Sequence, residues 1–202
     1  MKPARKWGGA GIVLLAGIAL LAGACAQRAR LPAAGDSPSP PPSLAGRSVL
    51  VLPVQPTSGP GIVEAPGLDA DIAYFLGERA PRARWILPAE QERVLRNSPT
   101  LRIRPGELEV SAFRQARLER IGEPLFTDLH NLGLLLDARL ALVPYAGGYV
   151  TAAGRVEVHV ALIDVSDGDV LWIGAAAGRP GDPGSAAVTA SAASALAELL
   201  AR

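Results

Sequence analysis

The sequence predicts an α/β fold (mixed α+β), with a single mixed β-sheet and helices packed on that sheet. In the first half, apolar strand-like runs alternate with amphipathic helical segments through short connections, which is the pattern of parallel βαβ units. Near the C-terminus, three strand-like runs follow one another directly, which is typical of antiparallel hairpins. The predicted element order over residues 47–202 is β-α-β-α-(α)-α-β-β-β-α.

The first predicted strand covers residues 48–54, SVLVLPV. This run is almost continuously apolar and β-branched, as in strands buried on both faces, so we expect it near the centre of the sheet. A loop rich in Gly and Pro follows over 55–67, and apolar residues then recur at helical spacing over 68–80. Asp69 and Asp71 fall in the first turn of this helix, where the helix dipole favours anions.

A second strand, ARWIL at 83–87, leads into a short helix that begins at Pro88. The next stretch, LRIRPGELEV at 101–110, is compatible with two structures. It forms either a hairpin, with Arg and Glu side chains facing each other across the strands, or a loop that leads into a helix. Pro105-Gly106 favours the loop, because Pro-Gly prefers turn types that twist the wrong way for a tight hairpin.

Three further helices are predicted after this stretch. One covers residues 111–120, and a second begins at Pro124 and presents apolar side chains on one stripe. The last helix follows Asp182-Pro183, which supply a cap and a first helical residue. The stripe of the second helix is Leu125, Leu129, Leu132 and Leu136, and that of the last is Val188, Ala192, Ala195 and Leu199.

Three strands are predicted between the last two helices, at 139–145, 155–165 and 169–178. The middle run, RVEVHVALIDV, alternates valines with polar residues, so we expect one of its faces to be wetter than the other. Asp167-Gly168 between the last two runs is a strong hairpin signal. Both strand tryptophans, Trp85 and Trp172, are expected in the core or at its rim.

The chain opens with a leader that is typical of an export signal, namely basic residues, an apolar run over 8–21 and small residues over 22–24. Cys25, the only cysteine, follows at once. This arrangement resembles the lipobox of bacterial lipoproteins, which implies cleavage after residue 24 and acylation of Cys25 with fatty acids such as palmitate. Ala22-Gly23-Ala24 is also an ordinary signal-peptidase site, and the apolar run is at the short limit of a membrane span. Simple secretion and an uncleaved anchor therefore stay open.

The lipobox divides the chain into a signal peptide at 1–24, a lipidated tether at 25–46 and a globular α/β domain at 47–202. The tether is rich in Pro, Ser and Ala and poor in large apolar groups, which predicts a disordered spacer. The leader contains three basic residues and no acidic ones, so the 178 residues that remain carry 17 basic and 19 acidic side chains. This near-neutral balance argues against a nucleic-acid partner.

The sequence assigns no catalytic, cofactor-binding or metal-binding residue, because no nucleophile elbow, P-loop or paired-cysteine motif occurs in it. His130 and His159 lack metal-ligand spacing, and we expect both on polar, solvent-facing sides. DVSDGD at 164–169 lacks the EF-hand spacing and is better explained as a hairpin turn. An enzyme would need an unrecognised site, with Glu64 in the 55–67 loop or the 164–169 turn as candidates.

The opening strand VLVLPV and the hairpin RVEVHVALIDVSDGDVLW resemble a group of envelope proteins. The group comprises the amino-terminal domain of the Tol translocation protein B, the curli-pore lipoprotein and the lipoprotein activators of penicillin-binding proteins. In these proteins a strand that ends in Asp, a turn with Gly and a Trp shortly afterwards recur as Asp164, Asp167-Gly168 and Trp172 do here. The resemblance covers about residues 47–201.

The resemblance implies a non-catalytic binding or assembly module rather than an enzyme. Together with the lipobox it implies an envelope lipoprotein of the outer membrane that faces the periplasm, since Ala26 after Cys25 fits outer-membrane sorting. Its expected partners are the membrane, through the lipid anchor, and an envelope protein, with a homo-oligomer left open. A subunit of an oligomeric secretion assembly and a secreted or anchored hydrolase are the alternative functions.

Overall fold

The computed structural model describes residues 39–57, 60–114 and 118–202. The strands in these ranges are β1 Ser48–Val51, β2 Ile62–Val63, β3 Arg84–Ile86, β4 Leu140–Val150, β5 Arg155–Asp164 and β6 Val170–Ala177. The helices are α1 Leu68–Arg79, α2 Pro88–Arg96, a 3₁₀ turn at Ser111–Arg114, α3 Leu125–Leu136 and α4 Ala186–Leu200. All strands join one mixed sheet of order β3-β1-β4-β5-β6, with β2 paired to β4. The predicted α/β fold with a single mixed sheet is confirmed.

β1 lies between two parallel neighbours. Val49 is in register with Trp85 of β3 on one side and with Leu140 of β4 on the other. Val49, Leu50 and Val51 are all buried, because helices cover both faces of the sheet at this strand. The predicted burial of this strand on both faces is therefore confirmed, but β1 is an interior strand beside the β3 edge and not the centre of the sheet.

The helices form one layer on each face of the sheet. Val49 and Val51 point to the layer of α1 and α4, whereas Leu50 and Leu52 point to the layer of α2 and α3. The first layer contributes Leu68, Ile72, Leu76, Ala192 and Leu196 to the core, and the second contributes Val94, Leu125, Leu129 and Leu132.

In the described ranges, no helix combines the length and apolar character needed to cross a membrane.

Gln91 of α2 is buried and ties β1 to β3. Its Nε2 donates to the carbonyl oxygens of Val51 at 2.8 Å and Ile86 at 2.9 Å, the last residues of the two strands. Each such bond adds about 1 kcal/mol to the free energy of unfolding, and an unpaired buried carbonyl would subtract more. A polar side chain thus closes the carboxyl end of the parallel pair.

The last three strands form the antiparallel meander that three successive strand-like runs predict. Asp167-Gly168 makes the predicted turn, and Gly168 has φ +80°, a conformation that favours glycine. Gly148 of β4 lets β2 approach closely, because a Cβ at this position would lie 2.7 Å from the carbonyl oxygen of Val63. The 55–67 loop is thereby held against the meander through β2.

The stretch 101–110 is a loop and contains no strand. Ile103, Leu108 and Val110 are buried in the core beside α3, and this burial is not available to an isolated two-stranded ribbon. The loop ends in the 3₁₀ turn at Ser111–Arg114. The helix predicted over 111–120 is wrong at its end, because residues 118–120 are not helical and Arg120 forms a β-bridge with Asp169 instead. Residues 115–117 lie outside the described residues.

Residues Ser39–Leu44, which we call the strap, fall in the predicted tether but pack on the domain. Leu44 is only 3% exposed and belongs to the core of the α1/α4 layer. The N–H of Gly46 then donates to the carbonyl oxygen of Arg82 at 2.8 Å. The packed part of the chain therefore begins before residue 47, and the predicted signal peptide and residues 25–38 lie outside the described residues.

Substitution of Val51 by Asp tests the burial of β1 inside the sheet. The new carboxylate would be buried without a partner, so we expect the free energy of unfolding to fall by about 4 kcal/mol or more. Val63→Asp is the matched control, because Val63 lies in β2 and is 51% exposed. Urea denaturation of both variants measures the difference, and equal midpoints for the two would contradict the assignment.

Candidate functional site

The topology creates a crevice at the carboxyl end of β1. The chain leaves β1 for β3 through α1, and it then reaches β4, on the other side of β1, after α2 and α3. In open α/β sheets, such a change of direction is where ligands bind. A cavity of about 480 Å³ lies here between residues 54–57, residues 64–69 and Gly147, and we call it the β1 crevice.

Asp69 lies at the wall of the β1 crevice, in the first turn of α1. Its Oδ1 accepts a hydrogen bond of 2.7 Å from the N–H of Val54. Asp69 as a whole residue is exposed. Partial burial nevertheless desolvates its carboxylate and raises its pKa, and the hydrogen bond from Val54 lowers the pKa by a smaller amount. Asp69 therefore links the segment that follows β1 to the first turn of α1.

The other polar groups of the crevice are mostly engaged with the backbone. Thr57 Oγ1 donates to the carbonyl oxygen of Gln55 at 3.2 Å and accepts from the N–H of Gly147 at 3.3 Å. The buried Gln55 side chain accepts from the N–H of Leu108 at 2.8 Å and so holds the 101–110 loop. Glu64 is an exposed acid of the lining. Among the described lining residues, the crevice offers a polar surface for a ligand but no nucleophile paired with a base.

The acidic turn at 164–169 uses its carboxylates within the protein. Asp164 accepts from the N–H and the hydroxyl of Ser166 at 3.0 and 2.6 Å, and from Arg139 Nε at 2.8 Å. Desolvation acts to raise the pKa of Asp164, but these bonds and the Arg139 charge lower it overall. Asp167 Oδ1 in turn accepts from the N–H of Asp169 at 3.0 Å. The structure supports the interpretation as a hairpin turn, and no group of three or more metal-ligand side chains occurs in the described ranges.

The buried pair Tyr145 and His159 is the feature that sequence reasoning missed. Their rings lie 6.1 Å apart on neighbouring strands, and Tyr145 stacks on Phe113 at 5.1 Å. His159 is only 4% exposed, so the expectation of a solvent-facing histidine is wrong. It does share a face of β5 with Glu157, as the alternation predicts, but that face is covered near Tyr145. The aromatic residue that ends the run RLALVPY was the available signal.

Both rings of this pair carry an orphaned polar atom. The Tyr145 hydroxyl and His159 Nδ1 have no hydrogen-bond partner among the described residues. Burial raises the pKa of Tyr145 to about 12 and lowers the pKa of His159, while the carboxylate of Glu157, 3.9 Å from His159 Nε2, opposes the second shift. At pH 7 the imidazole is therefore neutral, and Glu157 forms its ion pair with Arg155 at 2.9 Å instead.

The remaining aromatic candidates have structural partners. His130 is half-buried, and its Nδ1 lies 2.9 Å from the carbonyl oxygen of Val165. Trp85 Nε1 donates to the carbonyl oxygen of Ala80 at 2.9 Å, and Trp172 is buried beneath the strap. Both tryptophans thus lie in or beside the core, as predicted. Cys25, the predicted lipidation site, lies outside the described residues.

β6 is an edge of the sheet, and β5 is its strand partner in the described structure. The N–H of Val170 donates to the carbonyl oxygen of Glu119 at 2.8 Å. Beyond it, the outer side of Leu171–Ala177, which we call the β6 edge, makes no backbone hydrogen bond with other described residues. Its sequence, LWIGAAA, contains none of the charged residues or prolines that usually protect an edge. Leu171 is 45% exposed. Trp172, Ala175 and Ala176 are buried. Among the described residues, the outer backbone groups of the β6 edge thus have no strand partner.

Comparison with known proteins gives structural neighbours of low similarity. No protein-family model matches the chain, and no curated protein sequence matches it either. A dodecamer of a PelC variant from Paraburkholderia phytofirmans is 22% identical, with a TM-score of 0.42 over 81% of this chain and 96% of that one. A second PelC dodecamer from the same organism is 20% identical, with a TM-score of 0.37 over 81% of this chain and 94% of that one. These values are too low to transfer an activity, a partner or an assembly to this chain.

His159 makes the stability of the domain depend on pH. Because its pKa is lower in the folded than in the unfolded chain, the unfolded state takes up a proton first as the pH falls below about 6.5. Stability should therefore be complete above this pH and fall below it, by at most about 1.4 kcal/mol per pH unit for this one group. His159→Gln should flatten the dependence between pH 7.5 and 5.5, as measured by urea unfolding. An unchanged slope in the variant would exclude His159 as its source.

Proposed function

We propose that the chain is an envelope lipoprotein, anchored through a lipid at Cys25, whose domain acts as a non-catalytic binding or assembly module. The leader and the single cysteine that follows it support the anchor. Such an anchor is stable when more than one acyl chain is attached, since each buried CH₂ contributes about 0.8 kcal/mol. The proposed location is the outer membrane, on the periplasmic side.

The β6 edge is the observation that carries the binding function. An unprotected strand edge of this kind invites pairing with another chain, so proteins normally charge, interrupt or cover it. Here the strand is long enough to template a partner strand, and exposed Leu171 adds an apolar contact beside the backbone groups. Strand addition obtains its affinity from main-chain hydrogen bonds and its specificity from the side chains on either face. We therefore place the partner contact at the β6 edge.

The hydrogen bonds of four polar side chains support a module without catalysis. Three buried polar side chains form hydrogen bonds with the backbone or with a neighbouring side chain, and these bonds hold strands and loops together. They are Gln55, Gln91 and Asp164. Asp69, the acid of the β1 crevice with a raised pKa, is bonded to the Val54 N–H. These groups stabilise the fold, and the exposed acid Glu64 of the crevice has no nucleophile–base pair beside it among the described lining residues. The resemblance to partner-binding envelope proteins points in the same direction.

The lipid anchor predicts a definite mass and location. Chain purified from membranes should begin at Cys25 and carry the additional mass of acyl groups, whereas Cys25→Ser should leave the membrane fraction. Intact-mass measurement and membrane flotation test the two statements. A mature chain that begins at Cys25 without acyl mass, or an equally membrane-bound Cys25→Ser variant, would remove the anchor from the proposal.

Leu171→Lys tests the partner contact. A charge at the β6 edge disfavours an added strand, so we expect partner binding to weaken by about tenfold or more, which corresponds to roughly 1.4 kcal/mol. Leu134→Lys is the matched control, because Leu134 is a leucine of α3 that is 72% exposed. Cross-linking and affinity purification from envelopes detect a foreign partner, and sedimentation detects a second copy of the chain. Equal recovery with both variants would contradict a contact at the β6 edge.

A further inference from the structure

The strap is held at one end by a single tryptophan. Trp172 of β6 is 4% exposed, and its indole Nε1–H donates to the carbonyl oxygen of Ser39 at 2.9 Å. Pro40, Pro41 and Pro42 follow Ser39, and Pro41 is buried. We propose that the surface at Trp172 is a recognition site for extended, proline-rich peptides, and that the strap is the occupant supplied by the chain itself.

The chemistry of the two partners fits this site. A run of prolines favours the polyproline II helix, which makes no internal hydrogen bonds, so its carbonyl groups project outwards as acceptors. An indole is a donor only, and a buried indole N–H requires an acceptor such as the Ser39 carbonyl. Aromatic grooves recognise proline-rich segments in this way because the stiff peptide loses little entropy on binding. The strap supplies the same two elements, a buried proline at Pro41 and one carbonyl bond to Trp172.

The two ends of the strap are held in different ways. At the C-terminal end, Leu44 is part of the core, and its carbonyl oxygen accepts from the N–H of Arg47 at 3.0 Å. At the other end, the bond from Trp172 is the one hydrogen bond to Ser39–Pro42 among the described residues. Residues 39–42 can therefore leave the site while Leu44 stays in place. This makes the occupant exchangeable and distinguishes the site from the permanent core.

Replacement of the strap by another peptide at the Trp172 site would lengthen the tether between the membrane and the domain. Release of Ser39–Ser43 would add about 15 Å of chain between residue 25 and the domain, at about 3.1 Å per residue in polyproline II geometry. A proline-rich segment of another protein that occupied the Trp172 site would therefore free the tether. The site uses the side chain of Trp172 and not the outer backbone groups of the β6 edge, and it does not require the anchor to exist.

The test uses Trp172 as its own reporter. Trp7 lies in the leader, so Trp85→Phe in the chain from residue 25, with Cys25→Ser, leaves Trp172 as the one tryptophan. In this background, the triple variant Pro40→Gly, Pro41→Ser, Pro42→Gly should shift Trp172 emission to the red and raise its acrylamide quenching by about twofold, because the indole loses its cover. The peptide DSPSPPPSL, residues 36–44, should then reverse both changes saturably at concentrations on the order of 1 mM or below.

Two controls keep the result decisive. The peptide DSASAAASL, with the same length and charge, should not reverse the changes, and circular dichroism should show that the triple variant is folded. If the triple variant does not fold, the single Pro41→Ser variant takes its place. The inference would be overturned if Trp172 emission stayed unchanged after loss of the prolines. It would also be overturned if the emission shifted to the red but a saturating concentration of the proline peptide did not reverse the shift. The second result would make the strap a fixed cover and no recognition site.

Discussion

The burial of β1 on all sides is the constraint on which the rest of the structure depends. Its backbone is paired with β3 and β4, and its side chains alternate between two helical layers. Water cannot reach a polar side chain on a strand in this position. The run SVLV therefore contains one polar residue, Ser48, at its start and is apolar after it. The sheet can then grow only outward from β1, and the antiparallel meander places β6 at the far edge. The edge position of β6 thus follows from the order in which the strands lie beside β1.

Polar side chains close the gaps that this arrangement leaves. Parallel strands end in carbonyl and N–H groups without strand partners. Gln91 donates to the last carbonyl groups of β1 and β3, and Asp69 accepts from the N–H of Val54 just after β1. Gln55 accepts from the N–H of Leu108 in the 101–110 loop. Each bond contributes about 1 kcal/mol, but an unsatisfied buried group would cost more, so these side chains are required by the fold. This also explains why the β1 crevice lies at the usual ligand position of α/β sheets and yet offers little free chemistry.

The parts of the fold that depend on local pattern could be predicted from the sequence. The continuous run of β1, the leucine stripe of α3 and the Asp167-Gly168 turn each contain their own signal, and the structure has all three. The parts that depend on distant contacts could not. The structure of the loop at 101–110 is decided by burial of Ile103 and Leu108 in the core. His159 is buried beside Tyr145, on which Phe113 stacks. Composition alone also assigns Leu44 to a spacer, although the core accepts its side chain.

The candidate contact surface was equally hidden in the sequence, because strand order decides which strand is an edge. Alternation indicates that a segment such as β6 is a strand, but it does not say whether a neighbour follows on the outer side. The apolar composition of LWIGAAA would suit a central strand just as well. Only the topology shows that its outer backbone groups face no described residue, and this turns an ordinary strand into the proposed binding edge.

Hydrogen–deuterium exchange of the β6 amides tests the central claim most directly. The measurement compares the purified, monomeric chain with the chain in its native envelope, and it follows the outward-facing amides of Leu171–Ala177 against the inward-facing amides bonded to β5. The account predicts fast exchange of the outward amides in the isolated chain and slow exchange in the envelope, with the inward amides slow in both. Outward amides that exchange equally fast in the envelope would contradict partner binding at the β6 edge.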